Sequence, residues 1–322
     1  MGGMLSARTA SSKKRRKQPL PPYIRRNYVQ CYLMLAVPIV GFILFAAYPL
    51  YWLIEKSWFH WDGIVWKYVG WANYKEVLAS PIFQLSIANT FIFFGKLLIE
   101  IPLAFLLALI LSKPFRGNHV IRGMLFLPGI TSIAVMSVVF FVLLQPYAGF
   151  INQWLMKIGL LSAPIDWLGS RFLALLSCII ISVWQNVGLN MLLILAGLCS
   201  ISPEYYEAAE IEGITPWKKV WMITIPTIAP YLQMVLMLAI IGTMRVADLV
   251  IVLTNGGPGF DTEVIMSYVF HRFFGTGSGS NPVFNHGLAA AGAVVAGLIV
   301  AVVTMVYLYI SRRATENAEG RF

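Results

Sequence analysis

This chain has little charge for its size. Only 12% of its 322 residues are Asp, Glu, Lys or Arg, while 58% are hydrophobic. A soluble all-helical enzyme needs far fewer apolar residues, so that class is excluded. Cysteine is scarce too. Cys31, Cys178 and Cys199 show no paired spacing and read as small apolar residues rather than disulfide partners or ligands. His60, His119, His271 and His286 are isolated and form no metal pattern. No GxxxxGK[ST] phosphate loop occurs: Gly95-Lys96 is followed by leucine, and Gly275 to Gly279 reads as a flexible external turn. With no nucleophile or metal constellation, a membrane enzyme has nothing to work with.

What the chain has is apolar runs longer than the ~18 residues that mark a bilayer span. Six are predicted, at 30–54, 87–111, 123–145, 172–198, 227–253 and 286–311. At 1.5 Å per residue each is long enough to cross a hydrocarbon core of ~30 Å. The fold class is therefore all-α and membrane-embedded. The domains are a basic arm at 1–29, a six-span body at 30–313 and a tail at 314–322. The apolar run after Tyr28 is too long for a cleaved signal peptide.

Charge placement orients the spans. Eight Lys and Arg precede the first span, including Lys13 to Lys17. Lys113, Arg116 and Arg122 separate spans two and three, Lys218 and Lys219 lie between spans four and five, and Arg312, Arg313 and Arg321 follow span six. The opposite loops hold Lys56, Lys67, Lys75, Lys157, Arg171 and Arg272. The positive-inside rule then puts both termini in the cytoplasm. The net charge of +10 is thus a topology signal, with the basic arm at an anionic bilayer rather than on nucleic acid.

One polar island interrupts the apolar sequence, Ser202 to Pro226. Ser202-Pro203 is a helix start, with a hydroxyl to cap and proline at the first helical position. Glu204, Glu207 and Glu210 suit the positive end of that helix. Gly213 is the natural stop, and Thr215-Pro216 repeats the start signal. Trp217, Val220, Trp221 and Thr224 follow at helical spacing. Pro226 ends the unit or kinks it into the next span.

The spacing Glu207-Ala208-Ala209, Gly213, Ile223, Ile225, Pro226 resembles the EAA loop of binding-protein-dependent ABC importer permeases. Ile225 stands where leucine is usual, and Glu212 where aspartate often precedes the glycine. Val69 to Tyr74, Asn89-Thr90, Leu127-Pro128, Leu195 to Leu198 and Gly256-Gly257-Pro258 with Thr262 and Tyr268 are similar to elements of the carbohydrate branch, the maltose and glycerol-phosphate type. That type's first permease has a large insertion where this chain has only about 146–171, so contacts of the insertion do not transfer.

The resemblance implies a type I ABC importer permease fold and a non-catalytic subunit. It implies a homologous second permease, two ATP-binding subunits that hold ATP and Mg, an extracytoplasmic solute-binding protein and a sugar or oligosaccharide substrate. No cofactor is expected in this chain. Glu207, Ala208, Ala209 and Gly213 are the expected ATPase-coupling residues. The glycine gives the turn, the alanines allow close approach, and the glutamate offers a charge, unless it is a plain solvated one.

Charges inside spans are expensive. Lys96 and Glu100 lie four apart, Arg245 and Asp248 three apart, so each pair shares a helix face. Each is an internal salt bridge or snorkels to the membrane edge, or else forms a polar wall of a translocation cavity. Gln185, Asn186 and Asn190 on span four offer amides for sugar hydroxyls, with Trp184 as a stacking face, or serve inter-helix hydrogen bonding. The rival functions are an ion-coupled secondary transporter and an ABC permease for a non-sugar solute. No internal repeat supports the first.

Overall fold

The computed structural model describes residues 22–61, 64–244, 246–275 and 285–319, with the side chains of 22–27, 29 and 314–319 left aside. The run Lys13 to Lys17, Arg245 and most of the Gly275 to Gly279 turn lie outside these residues. By internal contacts the chain divides into two units, Met1–Trp52 and Leu53–Phe322.

The first helix, α1 (Pro22–Phe42), begins eight residues before the expected span. It passes through one π turn at Ile43–Ala47 into α2 (Tyr48–Lys56). A short antiparallel hairpin follows, β1 (Phe59–Trp61) with β2 (Trp66–Tyr68), pairing His60 with Lys67. Then come α3 (Ala72–Ala79), α4 (Pro81–Phe94) and α5 (Leu97–Ser112). Ser80 caps α4 by accepting from the Phe83 N–H, with Pro81 at the first helical position. Together Pro81–Ser112 is long and apolar enough to span.

The third expected span is not one straight helix. It is α6 (Asn118–Ile130) and α7 (Ile133–Leu143), bent by 96°. Thr131 leaves the helical region at φ −79°, ψ 140°, and the Gln185 amide donates to its freed carbonyl at 3.4 Å. At 11 residues α7 reaches about 16 Å, too short to cross alone. The loop beyond it holds α8 (Phe150–Lys157).

Helix α9 (Arg171–Cys199) is the expected fourth span and runs unbroken for 29 residues, about 44 Å. It is the spine of the bundle. Ala104 and Ala108 of α5, both fully buried, let that helix lie close against Val187, Met191, Ile194 and Leu195 of α9. On another side, a Cβ added at Gly188 would collide with the Leu125 carbonyl oxygen of α6. Glycine is therefore required where α6 crosses.

The polar island folds as α10 (Pro203–Ile211), then α11 (Pro216–Lys219), a π turn at Val220–Thr224 and α12 (Ile225–Thr227). This arm meets α13 (Ala229–Met244) at 72°. The fifth span was expected to continue to residue 253. Instead the helix stops at Met244, Val246 and Ala247 form a turn, and the six-residue α14 (Asp248–Leu253) starts separately. Leu249, Val250 and Leu253 of α14 bury themselves against Phe93, Leu175, Cys178 and Ile181. That burial draws the chain inward rather than across.

Two helices complete the fold, α15 (Ile265–Phe274) and α16 (His286–Glu319), the latter containing the sixth expected span. Among the described residues four helices pass as spans, or six if each bent pair counts as one.

Candidate functional site

The fourth-span residues do converge. Ser182, Gln185, Asn186 and Asn190 fall on one stripe of α9, midway along it. They line a cavity of about 240 Å³ with Lys96 at the N-cap of α5, Glu100 in its first turn and Asp248 at the start of α14.

Lys96 and Glu100 are both buried, and their ion pair measures 3.2 Å. Lys96 Nζ also donates to Ser182 Oγ at 2.9 Å, and Asn190 Nδ2 donates to Glu100 Oε1 at 2.6 Å. Lys96 does not snorkel: its ammonium is held among polar partners from two helices, which offsets the cost of burying it. The salt bridge and the cavity wall are one structure.

The three amides differ in use. Asn190 is committed to Glu100 and Gln185 to the Thr131 carbonyl. Asn186 donates to the Ser182 carbonyl of its own helix at 2.7 Å, and among the described residues its side-chain oxygen has no partner from another helix. Inter-helix bonding is thus the role of Gln185 and Asn190. Trp184 is absent from the cavity wall; its ring meets Phe140 edge-on with centroids 5.4 Å apart. The Arg245–Asp248 pair involves a residue outside the described set.

Beyond the Cys199 end of α9 lies the EAA-like arm. Ser202 and Thr215 adopt N-cap backbone geometry, but neither side chain makes a capping bond. Gly213 sits at φ +71°, with Ile214 N–H bonded to the Ala209 carbonyl at 2.9 Å and Gly213 N–H to the Glu210 carbonyl at 3.0 Å. That pair of bonds is a Schellman cap and demands the left-handed residue. Lys219 reaches back to Glu210 at 2.8 Å, and the Tyr206 and Thr224 hydroxyls meet at 3.0 Å. The Lys219 hydrogen bond and charge hold the Glu210 carboxyl below its ordinary range. Glu207 and Ala208 are exposed, whereas Ala209 is buried. Ala209 is thus covered within this chain and is not free to meet a partner.

At the Arg171 end of α9 the structure joins segments that sequence reasoning left separate. Asn89 Nδ2 donates to the Asp261 and Glu263 carbonyls, both at 2.8 Å, and its oxygen accepts from Arg171 at 3.0 Å. Thr90 Oγ1 accepts from the Ile265 N–H at 3.1 Å. Glu263 is buried against His271 and Ser267. His271 is thus not isolated. The Asn89-Thr90 and Gly256 to Tyr268 elements each carry a resemblance on their own, and nothing in their spacing shows that they touch.

Residues 100–316 match the family described as the binding-protein-dependent transport system inner membrane component. The lactose transport system permease protein LacF of Rhizobium radiobacter is 31% identical over 294 residues, covering 90% of this chain and 96% of that protein. The trehalose/maltose transport system permease protein MalF of Thermococcus litoralis is 32% identical over 246 residues, 76% of this chain and 80% of that one. A chain in the crystal structure of a bacterial alginate ABC transporter, in complex with an alginate pentasaccharide-bound periplasmic protein, superposes with a TM-score of 0.78 at 24% identity. That match covers 91% of this chain and 97% of the other, and it establishes the shared fold. The helical bundle, its bent spans and these matches agree: the chain belongs to the binding-protein-dependent transport system inner membrane component family and is a multi-pass ABC importer permease.

Proposed function

We propose that this permease forms half of a translocation pathway for a sugar or oligosaccharide, delivered by an extracytoplasmic solute-binding protein. The observation that carries this reading is the cavity at mid-length of α9, where amides, the Ser182 hydroxyl, the Lys96–Glu100 pair and Asp248 stand among apolar residues. Such a wall suits a polyhydroxylated solute, because among the described residues the Asn186 oxygen is left to accept from a hydroxyl. The names of relatives that carry lactose, trehalose and maltose, and arabinooligosaccharides support the same class.

In this reading a homologous second permease supplies the other half of the pathway. Two separate ATP-binding subunits hold ATP and Mg and take the arm from Ser202 to Pro226, with both chain termini on that side. Closure of the ATPase pair moves the arm, and α9 and α13 tilt with it. Glu207 and Ala208 present the exposed contact, and Gly213 sets the turn.

Uptake of labelled oligosaccharides into cells carrying the complete transporter tests this. Asn186→Leu is expected to raise the sugar concentration that gives half-maximal uptake, with the complex still assembled. Uptake that follows an ion gradient and ignores loss of ATP hydrolysis would assign the chain to secondary transport instead.

A further inference from the structure

The cavity beside α9 is uneven in what its polar groups still offer. Each side-chain nitrogen in its described wall already donates within the protein: Lys96 to Ser182 and Glu100, Gln185 to Thr131, Asn186 to Ser182 and Asn190 to Glu100. The oxygens differ. Among the described residues the side-chain oxygens of Gln185, Asn186 and Asn190 accept no hydrogen bond. The free capacity of the wall is therefore weighted toward acceptors.

Asp248 adds a charge to that bias. It is exposed and forms part of the wall, and among the described residues its carboxylate takes part in no ion pair. Lys96 is the one cation in the described wall, and Glu100 neutralises it at 3.2 Å. With that pair balanced, Asp248 leaves the described wall with a net negative charge. The surroundings are mainly apolar, with Ile133, Leu189, Leu193 and Leu238 among them. A charge in such surroundings acts more strongly than one at an open surface.

Resting on the sugar reading of this cavity, we propose that Asp248 sets the charge class of the cargo. The cavity takes neutral oligosaccharides and rejects those that bear carboxylate, sulfate or phosphate groups. An ionised carboxylate only accepts, and its two oxygens have room for about four hydrogen bonds. Neighbouring hydroxyls of a sugar ring supply paired donors, and bonds to a charged acceptor are the stronger kind. A uronate instead sets a like-charged, acceptor-only group against Asp248 and the amide oxygens.

The test is equilibrium dialysis on the assembled permease and ATP-binding subunits without a solute-binding protein, so that delivery does not choose the cargo. The probes are maltotriose and the same trisaccharide with one C6 hydroxymethyl group oxidised to a carboxylate. Maltotriose is expected to bind about tenfold more tightly, the equivalent of about 1.4 kcal/mol for one like-charge contact. Asp248→Asn keeps the size of the side chain and should bring the two affinities together while maltotriose still binds. Added salt should shrink the wild-type preference, a response that a merely structural role of Asp248 would not give. Equal binding of both probes by the wild type means that the carboxylate is neutralised, Arg245 being the nearest cation in the sequence, and overturns the proposal. An undiminished preference in Asp248→Asn assigns the discrimination to another group and overturns it as well. If neither probe binds, the sugar reading of the cavity falls, and the proposal falls with it.

Discussion

Asn190 on α9 donates a 2.6 Å hydrogen bond to the buried Glu100 carboxylate on α5, four residues from the lysine that neutralises it. A charge pair between the N-cap and first turn of α5 is thereby tied to the spine of the bundle. The pair, the amide and Ser182 form a single unit in which each member's burial depends on the others.

Removing one charge alone is therefore expected to be worse than removing both. Lys96→Met leaves Glu100 buried without a counterion and should destabilise the fold by about 3–5 kcal/mol, while Lys96→Met/Glu100→Leu recovers most of that loss. Thermal unfolding of the purified permease in detergent distinguishes the two. Equal destabilisation by the single and double variants would show that the pair is not coupled.

The close crossing of α6 over α9 makes a graded prediction. Gly188→Ala puts a methyl group into the Leu125 carbonyl, and a loss of about 1–3 kcal/mol is expected. Gly123→Ala, with open space around it, should be neutral or slightly stabilising, because alanine is the better helix former. Similar unfolding temperatures for the two variants would mean that α6 shifts freely.

Gly213 sits at φ +71° with open space where a Cβ would lie, so its constraint is conformational and not steric crowding. Gly213→Val is expected to cost about 1–2 kcal/mol locally and to reduce ATP-driven uptake, while Gly213→Asn retains most of it. Uptake and co-purification of the ATP-binding subunits measure this. Full activity of the valine variant would remove the arm from coupling.

At the other end of α9, Asn89→Ala strips the buried Glu263 carbonyl and the part-buried Asp261 carbonyl of their donor. Each orphaned group is expected to cost about 1–3 kcal/mol. Hydrogen exchange should quicken first in residues 256–268, the segment that Asn89 and Thr90 hold. Unchanged exchange there would show that the segment is held by other contacts.

Glu210 gives a pH dependence whose sign follows from its depressed titration. Its ion pair contributes fully above the ordinary glutamate range, and the contribution is lost as pH falls through the lowered folded value. The stability difference between wild type and Lys219→Met should therefore shrink on acidification. A constant difference from neutral to acidic pH would dissociate Lys219 from Glu210.

The arm from Ser202 to Pro226 was legible because its signals are local. Proline at the first helical position and glycine at the stop act through their own backbones, and both took the expected geometry. The capping hydroxyls did not: neither Ser202 nor Thr215 makes a side-chain cap bond, although both backbones sit in the extended N-cap geometry. The bent spans were less legible. Hydropathy averages over a window, so an apolar run reads the same whether it is straight, bent at Thr131 or broken after Met244.

Sequence alone determined the long apolar runs, the polar arm between them and the helix-face pairing of Lys96 with Glu100. All three follow from covalent neighbours and the 3.6-residue period. Only the tertiary structure decided that Asn190 and Ser182 complete that pair, that Ala209 faces inward, and that Asn89 grips a segment more than 170 residues away. Those facts depend on which helices pack together, and packing is set by complementary surfaces that no single stretch of chain contains.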